Sequence, residues 1–230
     1  ILLFFVSCSK KDGCTDPLAS NYSIDASEND GSCVYTSDNV GPSPAPLYIP
    51  SLFKRTINPP ILPSNNPQTI EGIELGRKLF FDPILSRDGD LSCASCHSPA
   101  LAFSDGNSFS SGTNNQISTR TSMPIFNLAW NWDEKFFWDG KVKSLEAQSL
   151  EPIVNPNEMN NTWTNAVSSL QADPNYPNLF NAAFGTSRID SNLVTMAIAQ
   201  FERTLISANS KFDQFLLGLT PLNDSELNGF

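Results

Sequence analysis

The run CASCH at residues 93–97 has the residue types and spacing with the most specific chemistry in this sequence. Two cysteines three positions apart share one short helical turn, and a histidine follows at once. Such thiols can each add to a vinyl group of the same porphyrin, and the histidine can then ligate the iron. The run therefore predicts a c-type haem attached through Cys93 and Cys96, with His97, the only histidine of the chain, as axial ligand.

Two other interpretations of the run are weaker. A structural zinc site needs four ligands, but Cys8, Cys14 and Cys33 all lie near the N-terminus and no second histidine is present. A thioredoxin-type redox pair follows a β-strand, whereas a polar turn, SRDGD at 86–90, precedes this run. Covalent haem is therefore the favoured interpretation.

Composition and the N-terminal residues indicate export. The chain has 24 acidic and 14 basic residues, a net charge of −10, and no basic cluster of the kind that nucleic acid requires. Residues 1–8, ILLFFVSC, resemble the end of a signal peptide with a lipobox, so Cys8 would carry a lipid; a plain export signal or a membrane anchor is the alternative. The apolar run is shorter than the about 20 residues that span a bilayer. We expect a periplasmic or cell-envelope protein that touches the membrane only through Cys8.

Two irregular segments precede the expected folded body. Cys14 and Cys33 enclose a polar loop, and export favours their oxidation to a disulfide. Residues 9–35 are thus interpreted as a small disulfide-closed module rather than a calcium site. Eight of the 17 prolines fall within 42–67, which predicts a linker or arm without helix over residues 36–68. One lipid, one disulfide and two thioethers account for all five cysteines.

The rest of the chain has helical patterns and no period-two strands, which predicts an all-α, cytochrome c-like haem domain over residues 69–221 with long loops. Capping residues and glycines predict helices at 70–81, 163–172, 178–184, 191–208 and 210–217. A further helix is expected to begin at residue 145 and to end at Pro152. A polar loop is expected at 103–122. Met196, on the helix over 191–208, is expected to pack rather than to ligate iron. Residues 222–230 look like the start of a further helix, and we expect the chain to be truncated at both ends.

Four further motifs follow in order around the haem run: LGRKLFFD at 75–82, FWDGK at 137–141, LEAQ at 145–148 and NPNEM at 155–159. With CASCH they resemble the N-terminal haem domain of the bacterial di-haem cytochrome c peroxidases, the group that includes the methylamine dehydrogenase maturation enzyme. The resemblance extends from about residue 58 to residue 230. It implies that this haem reduces peroxide, and that residues 222–230 open a second haem domain.

The resemblance assigns roles to Trp138, Gln148 and Glu158, which are spaced ten residues apart. Trp138 stands where the family has a tryptophan between its haems, and Gln148 and Glu158 match the distal glutamine and glutamate. Glu158 could move a proton during O–O cleavage, and Gln148 could orient peroxide by hydrogen bonding. Taken alone, Trp138 would be read as a core residue and Glu158 as a solvated helix start.

Two departures from the family pattern modify this expectation. Many members carry a histidine in the loop equivalent to residues 106–121, where it blocks the oxidised iron, but this chain has none. We therefore expect an open or water-bound distal face that needs no reductive activation, with Met123 and Met159 as the remaining candidate ligands. Thr121 replaces a calcium-binding asparagine and Lys141 replaces an arginine, so calcium is doubtful here.

The resemblance implies an enzyme that reduces hydrogen peroxide to water with electrons from a small cytochrome or cupredoxin. One haem c is expected in this chain and a second in the missing C-terminal part. The alternatives are an electron-transfer cytochrome c without peroxidase activity and a maturation-type di-haem oxidase that modifies a protein. A carrier needs no distal acid, so Gln148 and Glu158 favour the enzyme.

Overall fold

The computed structural model describes residues 11–15, 21–23, 25–34 and 41–230. The predicted lipidation of Cys8 lies outside these residues. The chain divides into two compact units, Ile1–Val40 and Gly41–Phe230. Within the described ranges, none of the helices is both long and apolar enough to cross a membrane.

The first unit contains a disulfide. Cys14 and Cys33 are bonded, with the sulfurs 2.10 Å apart, so the predicted pairing is confirmed. Two short strands, β1 (Asp12–Gly13) and β2 (Glu28–Asn29), pair in parallel beside it. Strands of two residues are too short to give a period-two pattern, which explains why the sequence did not predict them.

The second unit is helical, and the predicted all-α class is confirmed. Its α-helices are α1 (Ser51–Thr56), α2 (Ile70–Phe81), α3 (Cys93–Cys96), α4 (Leu145–Val154), α5 (Trp163–Ala172), α6 (Tyr176–Phe184), α7 (Ser191–Arg203), α8 (Lys211–Leu216) and α9 (Asp224–Asn228). Single 3-10 turns lie at Pro83–Leu85, Pro99–Leu101, Thr113–Asn115 and Leu128–Trp130. Long loops connect α3 to α4, as predicted.

Helices α2 and α7 pack directly on each other and form the centre of this unit. A Cβ at Gly76 would lie 1.9 Å from the carbonyl oxygen of Ala197, so only glycine permits this close approach. Next to it the rings of Phe80 and Phe201 lie 5.2 Å apart between centroids. The apolar face predicted for α7 is buried; α4 packs on α7, and α3 packs on α2.

The prediction that the Pro-rich arm lacks helix is wrong, because α1 forms within it. This helix begins directly after Pro50, where the absence of an N–H costs no helical hydrogen bond. Leu52 is buried, and the ring of Phe53 contacts that of Trp130 edge-on, with centroids 4.9 Å apart. Tertiary packing of two apolar side chains therefore stabilises a helix that the proline count argued against.

The arm is fixed to α7 and α4 by buried amides. The Gln200 side chain accepts from the Thr69 N–H at 3.0 Å and donates to Asn66 Oδ1 at 2.8 Å. Asn66 in turn donates to Glu146 Oε1 on α4, at 2.6 Å. Since both Asn66 and Gln200 are 1% exposed, their partners replace water completely.

Two helices end differently from the prediction. Helix α4 continues past Pro152 to Val154, because the proline removes only its own bond to the Gln148 carbonyl, and the Asn155 N–H still bonds Glu151. Helix α7 ends at Arg203 rather than at residue 208. Beyond it the Leu205 carbonyl accepts from the N–H of Asn127 at 2.7 Å, so a tertiary contact takes the chain out of the helix.

Candidate active site

A cavity of about 440 Å³ lies between α3, α4, α7 and the loop between α3 and α4. Its volume falls in the range of about 300–1,000 Å³ found for small-molecule and cofactor sites. All the residues that the sequence nominates line it: Cys93, Cys96, His97, Trp138, Gln148 and Glu158. The structure therefore brings together side chains that are up to 65 positions apart in the sequence.

Local capping places the two cysteines and the histidine. Ser92 and Ser95 form a capping box that starts α3, and the His97 N–H closes its single turn on the Cys93 carbonyl at 3.0 Å. Residues three apart on a helix lie on the same face. Cys93 and Cys96 are accordingly side by side on the turn, and His97 follows at its end.

The His97 ring has a defined tautomer. Nδ1 lies 2.9 Å from the Phe103 carbonyl oxygen, which only accepts, so Nδ1 carries the proton and the Nε2 lone pair is available to a metal. Burial lowers the pKa of His97, although the hydrogen bond to Phe103 opposes the shift. The imidazole is thus held neutral, which is the form that ligates iron.

The cysteine thiols are not activated as a redox pair. Burial raises the pKa of Cys93 to about 12, with a further contribution from the Glu202 carboxylate. Burial likewise raises the pKa of Cys96 to about 11, with Asp105 contributing. A thiol–disulfide catalyst needs a lowered thiol pKa, so the thioredoxin-type alternative is disfavoured on electrostatic as well as sequence grounds.

Glu158 is held by two contacts. Its Oε1 accepts from Asn155 Nδ2 at 2.7 Å, and its backbone carbonyl accepts from the Thr113 N–H at 2.8 Å. Burial raises the pKa of Glu158; the Asn155 hydrogen bond and the Lys141 ammonium oppose the shift, and Glu151 reinforces it. A fixed, half-buried carboxyl with a raised pKa has the properties of a general base.

Gly112 permits the loop to approach Glu158. A Cβ at this position would lie 2.2 Å from the carbonyl oxygen of Asn157 and 2.6 Å from that of Glu158. No local sequence pattern indicates the role of this residue, because the contact joins positions more than forty residues apart and glycine is common in polar loops.

Gln148 and Trp138 occupy different depths of the site. Gln148 lies on α4, and its side-chain amide has no hydrogen-bond partner within the described part of the chain, so it is available to a ligand. Trp138 is 56% exposed, and its indole N–H donates to the Thr121 carbonyl at 3.1 Å. The ordinary alternative of a core tryptophan is therefore wrong for Trp138.

The remaining candidates are placed as follows. Met123 and Met159 both line the cavity, and Met159 is also 3% exposed and part of the main hydrophobic core. Met196 does not line the cavity. The Thr121 hydroxyl donates to the Asn107 carbonyl at 2.7 Å. Lys141 forms an ion pair with Glu151 at 2.6 Å.

Comparison with known proteins gives the family. The family model for di-haem cytochrome c peroxidase matches residues 70–220. The chain belongs to this family. Its relatives include the methylamine utilization protein MauG of Methylorubrum extorquens, 46% identical over 157 residues, which cover 68% of this chain and 44% of the relative. The cytochrome c551 peroxidase of Nitrosomonas europaea is 38% identical over 176 residues, covering 75% and 52%.

A solved structure agrees with this placement in the family. The crystal structure of a MauG-like protein associated with microbial copper homeostasis superposes with a TM-score of 0.71 at 33% identity, covering 79% of this chain and 52% of the other. The chain thus spans about half the length of the relatives it matches. The family implies haem c as cofactor, and the residues fit it. Cys93 and Cys96 would hold the porphyrin and neutral His97 would supply Nε2 to the iron.

Proposed function

We propose that this chain provides the peroxide-reducing haem site of an enzyme that converts hydrogen peroxide to water. The observation that supports this proposal most is that the haem-attachment residues line the same cavity as Glu158 and Gln148. An electron carrier has no use for a fixed carboxyl of raised pKa beside its iron. The overall reaction consumes one peroxide, two electrons and two protons and yields two waters, and the electrons come from a small cytochrome or cupredoxin.

The haem supplies the iron at which peroxide binds and electrons arrive, and the chain's own groups supply proton transfer. The ionised carboxylate of Glu158 would accept a proton from peroxide held in the cavity and return it to the departing oxygen. The Gln148 amide donates a hydrogen bond to the peroxide and orients it. Trp138, which is exposed and lines the cavity, would pass electrons inward from a second haem.

The test compares Glu158→Gln with wild type in the haem-loaded protein, mixed with hydrogen peroxide by stopped flow. The bimolecular rate constant is expected to fall on the order of 10² to 10⁴-fold, the contribution of general acid–base catalysis. Glu74→Gln is the matched control, because Glu74 lies exposed on α2 away from the cavity. Equal rates for Glu158→Gln and wild type, with an intact haem spectrum, would contradict the proposal.

A second candidate function is favoured by the 46% identity to a methylamine utilization protein. In that case the same peroxide reaction would drive oxidation of a protein partner rather than of a small electron donor. Both candidates need Glu158 and Gln148, so the stopped-flow test applies to each. The two candidates are distinguished by measuring peroxide-dependent oxidation of a reduced cytochrome or cupredoxin. Steady-state oxidation of this donor supports the peroxidase, and its absence supports the protein-oxidising enzyme.

The location and metal content of the protein remain part of the proposal. We place it in the periplasm or cell envelope, with a lipid on Cys8, because c-type haem and the Cys14–Cys33 disulfide both belong to an oxidising compartment. The distal face of the iron is proposed to be open or water-bound, since the chain has no second histidine. Neither calcium nor nucleic acid is among the ligands that we propose for this protein.

A further inference from the structure

Glu202, on α7, is a buried carboxyl that the proposed peroxide chemistry does not use. The residue is 5% exposed, and its Oε2 is fully enclosed with no hydrogen-bond partner. Over residues 11–15, 21–23, 25–34 and 41–230, no hydrogen bond or ion pair reaches its carboxyl group. An unpartnered buried carboxylate is costly, so such a group in a native fold requires a reason.

The neighbouring cation is used elsewhere. Arg203 directs NH2 to Glu146 on α4, at 2.8 Å from Oε1 and 3.0 Å from Oε2. Asn66 also donates to Oε1 of Glu146 and thereby reinforces the ion pair. The NH2 of Arg203 therefore neutralises Glu146, while the buried Arg203 NH1 has no partner and forms no bond to Glu202 within the described residues.

The surroundings of Glu202 favour the neutral acid. From α7 it faces Arg203, from α4 Glu146 and from α3 Cys93, whereas α2 packs on α7 through glycine and aromatic residues. Burial, opposed by Arg203 and reinforced by Glu146, raises the pKa of Glu202 to about 8. Cys93 would carry no charge once bound as a thioether.

Glu202 also lines the same cavity as Cys93, His97, Gln148 and Glu158. Because the Glu202 carboxyl is itself enclosed, a change in its charge would act on a cofactor held in this cavity. Glu158 lies on the loop after α4 and is held by Asn155, so the two acids enter the cavity from different elements.

We propose that Glu202 is a proton-holding residue coupled to the haem: it takes up one proton from solvent when the iron gains one electron and releases it when the iron is oxidised. The electron comes from the donor, or from dithionite in the test, and ferric iron becomes ferrous while the carboxylate becomes the acid. This inference rests on the proposed function only in requiring a haem that changes oxidation state.

The test measures the midpoint potential of the haem-loaded protein between pH 6 and 9 by spectroelectrochemistry. Wild type is expected to show a potential that falls as pH rises, because reduction is aided only where Glu202 can bind a proton. Glu202→Gln is expected to flatten this dependence, and Glu74→Gln is expected to retain it. Identical pH dependence in wild type and Glu202→Gln would overturn the proposal.

A measurement on wild type alone covers the case in which Glu202→Gln does not fold. At pH 9, above the pKa of about 8, where Glu202 is ionised in the oxidised protein, redox-triggered infrared difference spectra should show a protonated carboxylic acid C=O band that appears on reduction and shifts in D₂O. Absence of that band would equally overturn the proposal. Neither measurement uses peroxide, so a failed peroxidase assay would leave both results unaffected, and the two proposals fail independently.

Discussion

The contact between Gly112 and the backbone of Asn157 and Glu158 gives a test of how the candidate base is positioned. We consider Gly112→Ala. The backbone at Gly112 has φ −89° and ψ −169°, which alanine adopts without strain. Any effect of the substitution must therefore come from the added methyl group and not from the main chain.

The magnitude follows from the distances. The new Cβ would lie 2.2 Å from the Asn157 carbonyl oxygen, and ordinary contact begins at 3.4 Å. The loop and the Glu158 segment must separate by roughly 1 Å, and the atoms in the way are backbone atoms that cannot rotate aside. Overpacking of this kind costs about 1–3 kcal/mol of stability. A displacement of about 1 Å at a catalytic group costs about 100-fold in rate.

The assay is stopped-flow reaction with hydrogen peroxide together with chemical denaturation. Gly112→Ala should react on the order of 100 times more slowly, with a wild-type haem spectrum, because His97 and α3 are held by other contacts. Gly41→Ala is the control, since no atom lies within 4 Å of its added Cβ. A folded Gly112→Ala protein that reacts at the wild-type rate would show that this contact does not position the base.

Two further predictions concern pH and the packing of α2 on α7. Glu158 must be ionised to accept a proton, so the rate constant for the reaction with peroxide should fall as pH is lowered through the pKa of Glu158. Because this pKa is raised, the fall should occur at a higher pH than for an ordinary glutamate. A flat stopped-flow profile over the acidic range would contradict this. Gly76→Ala should destabilise the protein by about 1–3 kcal/mol, because the new Cβ would lie 1.9 Å from the Ala197 carbonyl oxygen. Chemical denaturation measures this change, and unchanged stability would refute the packing argument.

Features set by local sequence were predicted well. The bounds of α2 were correct, because Thr69 caps its first turn and the apolar spacing is regular. The Cys14–Cys33 pair formed as expected. The roles of His97, Gln148 and Glu158 stay predictions, but the structure places all three at one cavity.

Features set by contacts distant in sequence were not predicted. Helix α1 depends on the contact between Phe53 and Trp130, and the end of α7 depends on Asn127. Glu202 could have been noticed, since it lies four residues after Ile198 on the apolar face predicted for α7. A carboxylate at a core position of a helix is unusual enough to be a signal.

The partners of three glutamates, one on α4, one on α7 and one on the loop after α4, explain why these side chains can differ in protonation. Glu146 has a bonded guanidinium and an amide, so its charge is balanced. Glu158 has an amide and a more distant ammonium, which oppose the rise in its pKa that burial causes. Glu202 has neither bonded partner and is the most enclosed of the three. If both proposals hold, α4 and α7 would provide a fixed charge and a proton-holding acid, while the loop after α4 would supply a base. Asn66 and the Arg203 NH2 both bind Glu146, whereas Glu202 Oε2 and the buried Arg203 NH1 have no partner within the described residues, so the protonation of Glu202 depends on the cavity that it lines rather than on a bonded cation.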